Sequence, residues 1–403
     1  MVTDLDIRVL DDAHFRAASA LFRGTLHYAP PTDEAWETVR TTYHAGQALG
    51  AFAEGELVGT VQAFPSALTV PGGAVVRMSA VSRVGVRADW TRRGVLTAMQ
   101  RAQLRAMRDA GDVAATLRAS ESVIYGRFGY GVATRYREIR VKRVETRVRV
   151  PIAGRVRLVD GETALPLCRG LFDRLTPGRA GSIARWTGWW TSNVQRALKE
   201  DNLKFAVASG PDGDDGYAIY KVTPGSWETG NEKPTVLAVQ DLWAATPRAW
   251  ADLWAFLLGV DLVGEVLAEG RPLDEPVEWL VTDRRAVRTV DESDETWLRL
   301  LDVEAALAAR TYRAGEPVVI GVRDRFLPEN DGAYRITAQG ASRTSDEPDF
   351  VVDVDVLAAA YLGDVTFGAL AMTGRFEEAS GDAVARADAL FAAAQTPWCG
   401  TFF

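Results

Sequence analysis

The N-terminal part of the chain alternates between apolar and polar positions in a way that predicts several strands and one helix. Residues 47–53 and 57–64 carry apolar runs of strand period with glycine and glutamate between them, which is typical of a hairpin. Residues 75–86 predict a central strand. From Leu96 the apolar residues recur at helical spacing, and Gly111 is placed to end that helix. The pattern therefore predicts a strand, a turn and an amphipathic helix in immediate succession.

Two further changes of pattern follow along the chain. Residues 143–154 are basic and strand-like, as expected of a link between domains. The next stretch is rich in tryptophan and contains a helical pattern after Thr246-Pro247, and such an aromatic stripe is more often core than ligand site. Residues 297–310 predict an amphipathic helix. The tryptophans of the middle stretch are Trp186, Trp189, Trp190, Trp227, Trp243, Trp250, Trp254 and Trp279.

Length and these changes of pattern divide the chain into three parts of mixed α and β structure. The chain has 403 residues, more than a single domain of roughly 150 residues usually holds. We place the parts at residues 1–150, 151–290 and 291–403. Since 47% of the residues are hydrophobic, each part can bury a sizeable core.

Composition disfavours several classes of function. The sequence contains no run of about 18 apolar residues and no apolar signal-peptide segment, so a cytoplasmic protein without a membrane partner is expected. The net charge of −8 has the wrong sign for nucleic acid and favours cationic small molecules, although many soluble proteins are equally acidic. Cys168 and Cys399 are the only cysteines, and their spacing argues against a disulfide framework and a zinc site.

The segment Arg92-Arg93-Gly94 carries the first candidate chemistry. A glycine at the mouth of a helix, beside two arginines, is an arrangement that binds phosphate, because the free N–H groups of the first turn and the helix dipole attract anions. Gly94 also lets the backbone approach a ligand closely, since it has no Cβ. The alternative is an ordinary strand-turn-helix with two solvated arginines.

Three segments in a fixed order resemble a known enzyme family. They are VGV at residues 84–86, RRGVL at 92–96 and SESVIYGRFGYG at 120–131. This combination is similar to the Eis (enhanced intracellular survival) group of Gcn5-related N-acetyltransferases. The wider family has glutamine or arginine where this chain has Thr91, and glycine or alanine where it has Leu96.

The resemblance implies a fold, a cosubstrate and an assembly. The predicted order β-α-α-β-β-β-α-β is that of the acetyltransferase fold, in which two strands splay apart at a bulge and admit the pantetheine arm of acetyl-CoA. The middle part would be a degenerate second acetyltransferase-like domain, expected to bind no cofactor because it lacks a glycine-rich phosphate loop. The last part would be a sterol-carrier-like α+β domain. A homohexamer is expected by the same resemblance, and no metal is implied.

The resemblance also assigns residues to the acetyl-CoA site. Backbone N–H and C=O groups of Val84 and Val86 would pair with the pantetheine amides like an added strand. The turn before the helix would surround the pyrophosphate. The residues assigned in this way are Val84, Gly85, Val86, Arg92, Arg93, Gly94, Val95, Leu96, Thr97, Ser120 and Glu121.

Acetyl transfer to an amine requires that the ammonium lose a proton, that the oxyanion be stabilised and that the departing thiolate be protonated. The resemblance implies Tyr125 as the acid, and a tyrosine with an ordinary pKa of about 10 is protonated at neutral pH. A buried core tyrosine is the alternative. The implied base is the α-carboxylate of Phe403, which closes the sequence TPWCGTFF. With a pKa of about 3.5, such a group serves better as an anchor for the amine that takes its proton late.

The acceptor is also implied by resemblance. Eis enzymes acetylate aminoglycosides at several amines, an activity associated with antibiotic resistance, and Trp36 aligns with an aromatic residue of their acceptor pocket. An ordinary core tryptophan is the alternative. The acidic group that these enzymes place before the tryptophan has no counterpart at residues 24–27. Two other functions stay open: a protein-lysine or polyamine N-acetyltransferase, and a non-catalytic ligand-binding protein with a lipid-carrying C-terminal domain.

Overall fold

The fold is known from a computed structural model that describes residues 5–149, 151, 154–195, 197–198, 202–226, 228, 233–376 and 381–403. Trp227, one of the tryptophans of the middle part, lies outside the described residues. Within this part of the chain, one sheet of twelve strands and one of four carry the architecture.

The bounds of the elements are as follows. The strands are β1 Asp6–Val9, β2 Ala48–Ala53, β3 Glu56–Thr69, β4 Val75–Val86, β5 Ala114–Leu117, β6 Gly131–Lys142, β7 Arg155–Val159, β8 Lys204–Gly210, β9 Gly213–Thr223, β10 Val236–Ala244, β11 Glu265–Pro272, β12 Val287–Leu300, β13 Val318–Arg323, β14 Gly332–Thr337, β15 Gly340–Thr344 and β16 Phe350–Asp353. The helices are α1 Asp12–Thr25, α2 Asp33–Val39, α3 Val95–Asp109, α4 Gly161–Leu175, α5 Thr187–Trp189, α6 Pro247–Gly259, α7 Val277–Leu280, α8 Val303–Ala309, α9 Val354–Tyr361, α10 Phe367–Ala371 and α11 Ala383–Phe391.

The order β1-α1-α2-β2-β3-β4-α3-β5 of the first part is the predicted acetyltransferase order. Strands β1 to β5 lie side by side at one end of the large sheet. The apolar face predicted for α3 is buried: Met99, Leu104 and Met107 lie in one cluster with Val81 of β4 and Leu117 of β5. Burial of this face fixes the helix across the central strands, with its N-terminus at their carboxyl ends.

Strand β12 joins the first and second parts into one sheet. It lies between β5 and β6 and is antiparallel to both, with Trp297 opposite Leu117 and Leu298 opposite Gly131. On its other edge, β6 pairs with β11 of the second part. The division that we placed at residue 290 therefore falls inside a continuous strand that both parts share.

The helix predicted over residues 297–310 is wrong in its first half. Residues 297–300 belong to β12, and α8 begins only at Val303. Asp302 fixes that start, because its carboxylate accepts the N–H of Ala305 at 3.0 Å. The apolar residues at 297–300 fit the periodicity of a helix as well as that of a strand. They form a strand because they pair with β5.

The last part forms a four-stranded sheet in the order β15-β14-β13-β16, with α9, α10 and α11 packed against it. Its core is continuous with that of the large sheet, since Phe350 and Leu357 share a cluster with Phe64 and Met78. Helix α9 lies on β6 at very short range. A Cβ on Gly131 would come within 2.1 Å of a carbonyl oxygen of α9, so only glycine fits there.

Candidate active site

Strands β4 and β5 separate where the cofactor is expected. They pair in parallel over residues 78–80 and 114–116, and residues 84–86 lie beyond the last pair. The opposite edge of β4 stays paired with β3 as far as Val86. Residues 84–86 therefore border an opening between two strands, a shape that suits an extended ligand lying like an added strand.

A bulge in β4 next to this opening centres on Arg83. The register between β3 and β4 shifts between Ser82 and Gly85, and Arg83 has a φ of +52°. Its guanidinium donates two hydrogen bonds of 2.7 Å to side chains of β3 and of the α2–β2 connection. The Cζ atom of Arg83 lies 4.4 Å from the ring centre of Tyr43 and 5.5 Å from that of Phe64. Arg83 thus holds the bulge and gathers aromatic rings around it.

Gly94 caps the N-terminus of α3 with a φ of +85°, a left-handed conformation that favours glycine. A Cβ at this position would meet no atom within 4 Å, so the first turn of α3 faces open space. Arg92 and Arg93 are exposed beside it, and the Arg93 guanidinium lies 4.9 Å from the ring centre of Trp90. The N-terminus of α3 therefore has no side-chain cap and directly follows two exposed arginines in the chain, a combination that suits anion binding.

Tyr125 lies on the loop after β5. Its ring is 7% exposed and packs edge-on against Tyr130, with 5.8 Å between the ring centres. The same apolar cluster holds Val84 and Val86. Burial, and then the negative charge of Glu121, raise the pKa of Tyr125 to about 12. The phenol therefore keeps its proton at neutral pH, as a general acid must.

The C-terminal segment reaches the same region. Arg118, the residue after β5, donates from Nε to the carbonyl oxygen of Thr401 at 3.0 Å. The indole N–H of Trp189 donates to the carbonyl oxygen of Phe402 at 2.5 Å. These bonds hold the end of the chain at the carboxyl end of β5, where that strand has left β4.

Aromatic contacts join the chain end to the bulge. The ring of Phe403 meets that of Trp186 edge-on at 5.9 Å, and Trp186 stacks on Phe64 at 4.5 Å. Trp36 is half-buried on α2 and lies 6.0 Å from the ring of Tyr43. Since both Phe64 and Tyr43 contact Arg83, a series of ring contacts links the bulge to Trp36 and to Phe403.

A cavity of about 410 Å³ opens beside the C-terminal segment. Phe402 and Arg118 line it, together with Glu138 of β6 and Glu269 of β11. The arginines of its wall are held in ion pairs, namely Arg118–Glu295, Arg185–Asp241 and Arg271–Glu275. Burial, and then the charge of Glu269, raise the pKa of Glu138. Two carboxylates that repel each other thus face a cavity in which a cation would relieve the repulsion.

The assigned cofactor residues lie in three segments around the opening. Residues 84–86 border it and residues 92–97 form the turn that opens α3. Val95 is buried in the core, while Leu96 and Thr97 are half-buried. Ser120 and Glu121 are exposed on the loop that leads to Tyr125.

Sequence reasoning missed the charged residues that hold this region together. They are Arg83, Arg118, Arg185 and Glu295. The signal available for them was weak: a charged residue inside an apolar strand, or one beside a tryptophan. Their partners lie far along the chain, and only the fold brings them together.

Among the described residues, no group of three or more histidine, cysteine, aspartate and glutamate side chains could hold a metal ion. In the same part of the chain, no helix is both long enough and apolar enough to cross a membrane.

Family profiles match all three parts of the chain. An acetyltransferase (GNAT) domain matches residues 6–133, and a second acetyltransferase (GNAT) domain matches residues 181–300. A sterol carrier protein domain matches residues 303–400. The tandem acetyltransferase-like architecture with a sterol-carrier-like end is thereby confirmed.

Individual proteins resemble the chain over nearly its whole length. An uncharacterised N-acetyltransferase of Streptomyces avermitilis is 39% identical over 99% of both chains. The N-acetyltransferase Eis of Mycobacterium tuberculosis is 33% identical over 94% of this chain and 93% of its own. The crystal structure of Eis1 from Mycobacterium abscessus superposes with a TM-score of 0.89 at 38% identity, covering 99% of this chain and all of its own. GNAT domains use acetyl-CoA as cosubstrate, so the chain is an acetyl-CoA-dependent N-acetyltransferase and belongs to the Eis group of Gcn5-related N-acetyltransferases.

Proposed function

We propose that the protein transfers the acetyl group of acetyl-CoA to primary amines of polycationic acceptors, aminoglycosides foremost. The observation that carries this proposal is the position of Thr401 and Phe402, which lie beside the β4–β5 opening, with Arg118 bound to Thr401 and an acidic cavity lined by Phe402. Such a site attracts cations and brings a carboxylate to the amine that reacts.

In the proposed reaction, acetyl-CoA lies between β4 and β5 with its pyrophosphate at the N-terminus of α3. The Phe403 carboxylate binds the substrate ammonium and takes a proton from it as the nitrogen attacks the acetyl carbon. Backbone N–H groups of residues 84–86 stabilise the carbonyl oxygen. The C–S bond then breaks and the phenol of Tyr125 donates its proton to the thiolate. The acetylated nitrogen gives up its second proton, which restores the phenol of Tyr125, and the Phe403 carboxylic acid releases the first proton to solvent. The products are the N-acetylated amine and free coenzyme A.

Gly94→Asp is expected to raise the Michaelis constant for acetyl-CoA about tenfold or more. The substitution places a carboxylate where the phosphates bind, and about 1.4 kcal/mol of lost binding gives that factor. Gly213→Asp is a matched control, because Gly213 also has a left-handed φ (+117°) and open space around it but lies in the β8–β9 hairpin. Steady-state kinetics would contradict the assignment if both folded variants kept the parental Michaelis constant.

Glu138→Gln and Glu269→Gln are each expected to raise the Michaelis constant for acceptors with several positive charges by about threefold to tenfold at low salt. Each variant removes one of the two carboxylates that repel each other in the cavity. A monoamine should be little affected, and added salt should shrink the difference. Because the pKa of Glu138 is raised, the affinity for polycations should also weaken earlier on acidification than that of an ordinary carboxylate site.

Glu316→Gln serves as the control for this test. It makes the same change of net charge at an exposed position outside the cavity. Equal Michaelis constants in all three variants would show that the cavity carboxylates do not meet the acceptor.

The acceptor class is decided by a thiol-release assay across aminoglycosides, linear polyamines and lysine-containing peptides. Aminoglycosides should give the highest kcat/KM. The same acidic cavity also suits a linear polyamine, and a higher value for that class would move the assignment to a polyamine N-acetyltransferase. Preference for the peptides would identify a protein-lysine acetyltransferase. The expected homohexamer stays a prediction, and sedimentation of the purified protein would test it.

A further inference from the structure

The second acetyltransferase-like part repeats the strand separation of the first. Strands β10 and β11 pair in parallel over residues 236–239 and 265–268, with α6 between them in the chain. Directly after the last pair, β10 carries a bulge at Gln240, just as β4 does at Arg83. The two strands then part, so the second part has its own opening at the position equivalent to the cofactor opening of the first.

The C-terminal segment enters this second opening and shares it with the cavity described above, which residues of β10 and β11 also line. The indole N–H of Trp398 donates to the carbonyl oxygen of Gly270 on β11 at 2.8 Å. The Trp398 ring stacks on Trp243 of β10, with 4.6 Å between the ring centres and 29° between the planes. Arg271 of β11 donates to the carbonyl oxygen of Leu242 on β10 at 3.0 Å and so bridges the gap. Trp398 thus contacts both separated strands, as a pantetheine arm would in a working site.

The helix that follows this opening offers little to a phosphate. Thr246 caps α6, and its hydroxyl accepts the N–H of Ala249 at 3.0 Å. Pro247, at the first helical position, has no N–H at all. In α3 the equivalent cap is Gly94, without any side-chain hydrogen bond. The first N–H groups of α6 are therefore partly satisfied by the helix's own cap, whereas those of α3 stay available for an anion.

Beyond Trp398 the backbone is held by a buried carboxylate. Glu295, which is 1% exposed, accepts the N–H groups of Cys399 and Gly400 at 2.9 Å each. It also accepts the hydroxyl of Thr134 at 2.9 Å and pairs with Arg118 at 3.0 Å. The Glu295 carboxylate is the acceptor in all of these contacts, and hydrogen bonds to a carboxylate are stronger than those between two neutral groups.

A buried arginine holds the next residues from the other side. Arg185 donates to the carbonyl oxygen of Gly400 at 2.7 Å and to the hydroxyl of Thr401 at 3.1 Å. Asp241, next to the bulge of β10, pairs with Arg185 at 2.5 Å. Residues 399–401 are therefore fixed, which leaves little freedom for the two phenylalanines that follow.

We propose that the second acetyltransferase-like part binds the chain's own C-terminus. The binding site, here called the seat, consists of the residues that contact Trp398 to Thr401, namely Arg185, Trp243, Gly270 and Glu295. The former cofactor opening of the second part takes Trp398, and Glu295 is the positioning residue that aims the Phe403 carboxylate at the amine. This inference rests on the proposed role of that carboxylate. A displacement of about 1 Å at a reacting group can cost 10²-fold in rate, so a rigid seat has a direct catalytic use.

Glu295→Gln tests the seat. Amine acetylation should fall about 10- to 100-fold in turnover, while the Michaelis constant for acetyl-CoA stays within about twofold. Hydrogen exchange of the Cys399 and Gly400 amides should become faster, because their acceptor loses its charge. Asp364→Asn is the matched control, since its side chain is 4% exposed and pairs with Arg135 at 2.8 Å outside the seat. It should change neither turnover nor the exchange of these two amides.

A double-variant cycle separates positioning from a general effect on the fold. In a chain that lacks Phe403, Glu295→Gln should add little further loss, because the carboxylate then lies on Phe402, about 3.5 Å back along the chain and already out of position. If the two losses multiply instead, or if exchange of Cys399 and Gly400 is unchanged, the seat is refuted. Should Glu295→Gln fail to fold, Trp398→Phe keeps an aromatic ring at this position and removes the N–H bond to Gly270 together with part of the stacked ring, and it should show the same effects more weakly.

The same experiment distinguishes an error in the proposed positioning of the C-terminus from an error in the proposed function. If the parent enzyme acetylates no amine, the proposed function is wrong. Hydrogen exchange still tests the seat in that case, because it needs no acceptor. Fast exchange of the Cys399 and Gly400 amides in the parent would overturn the seat directly.

Discussion

Blocking the α-carboxylate of Phe403 is expected to stop amine acetylation and to leave acetyl-CoA binding intact. A C-terminal extension turns this carboxylate into a neutral amide and crowds the ring contact with Trp186. The amine then loses both its anchor and its proton acceptor, and general base catalysis alone is typically worth about 10²- to 10⁴-fold. Steady-state turnover and calorimetric binding of acetyl-CoA measure the two expectations separately.

Two variants of Phe403 sharpen this prediction. Deletion of Phe403 leaves the carboxylate on Phe402, about 3.5 Å back along the chain, and should cost about 10²-fold or more in turnover. Phe403→Leu keeps the carboxylate in place and loses only the aromatic contact, so it should retain most of the activity. If the leucine variant were as inactive as the deletion, the ring rather than the carboxylate would be the essential group.

Tyr125→Phe is expected to lower turnover about 10²- to 10⁴-fold with little effect on the Michaelis constant for acetyl-CoA. The substitution removes one hydroxyl and leaves the ring in its place. Tyr130→Phe is the matched control, because Tyr130 is fully buried 5.8 Å away and its hydroxyl has no hydrogen-bond partner among the described residues. Its removal should be close to neutral. A loss below about threefold in Tyr125→Phe would mean that the thiolate leaves unassisted.

The pH profile gives a second view of the same residue. Because the pKa of Tyr125 is raised to about 12, the folded enzyme keeps this proton while pH rises through 10, the value at which an ordinary tyrosine is half-ionised. Turnover of the parent enzyme should therefore show no alkaline fall from this group below about pH 10. A fall centred near pH 9 that disappears in Tyr125→Phe would contradict the raised pKa.

The parts of the fold that rest on local pattern could be predicted from the sequence. The order of β1 to β5 around α3 follows from apolar period and from turn residues that are close together in the chain. Gly94 could be singled out because a helix start beside two arginines has a physical meaning of its own. The resemblance then supplied the architecture of the remaining parts, which periodicity alone could not.

Contacts between residues far apart in the chain could not be predicted from local sequence pattern. Nothing in residues 287–300 indicates that they insert between β5 and β6, because the partners lie more than a hundred positions away. Residues 297–300 could locally form a helix or a strand, and pairing within the large sheet makes them a strand. The contact between Glu295 and Cys399 spans 104 positions. No local pattern marks either residue as part of a seat, so the site residues that act through tertiary contacts were the ones missed.

In the proposed mechanism, the Phe403 carboxylate takes part in acetyl transfer to a cationic amine. The most direct measurement compares thiol release by the same chain tagged at its N-terminus and at its C-terminus, with saturating acetyl-CoA and an aminoglycoside. We predict full turnover for the N-terminally tagged protein and a loss of about 10²-fold or more for the C-terminally tagged protein, with equal acetyl-CoA affinity. Equal turnover of the two proteins would contradict the account.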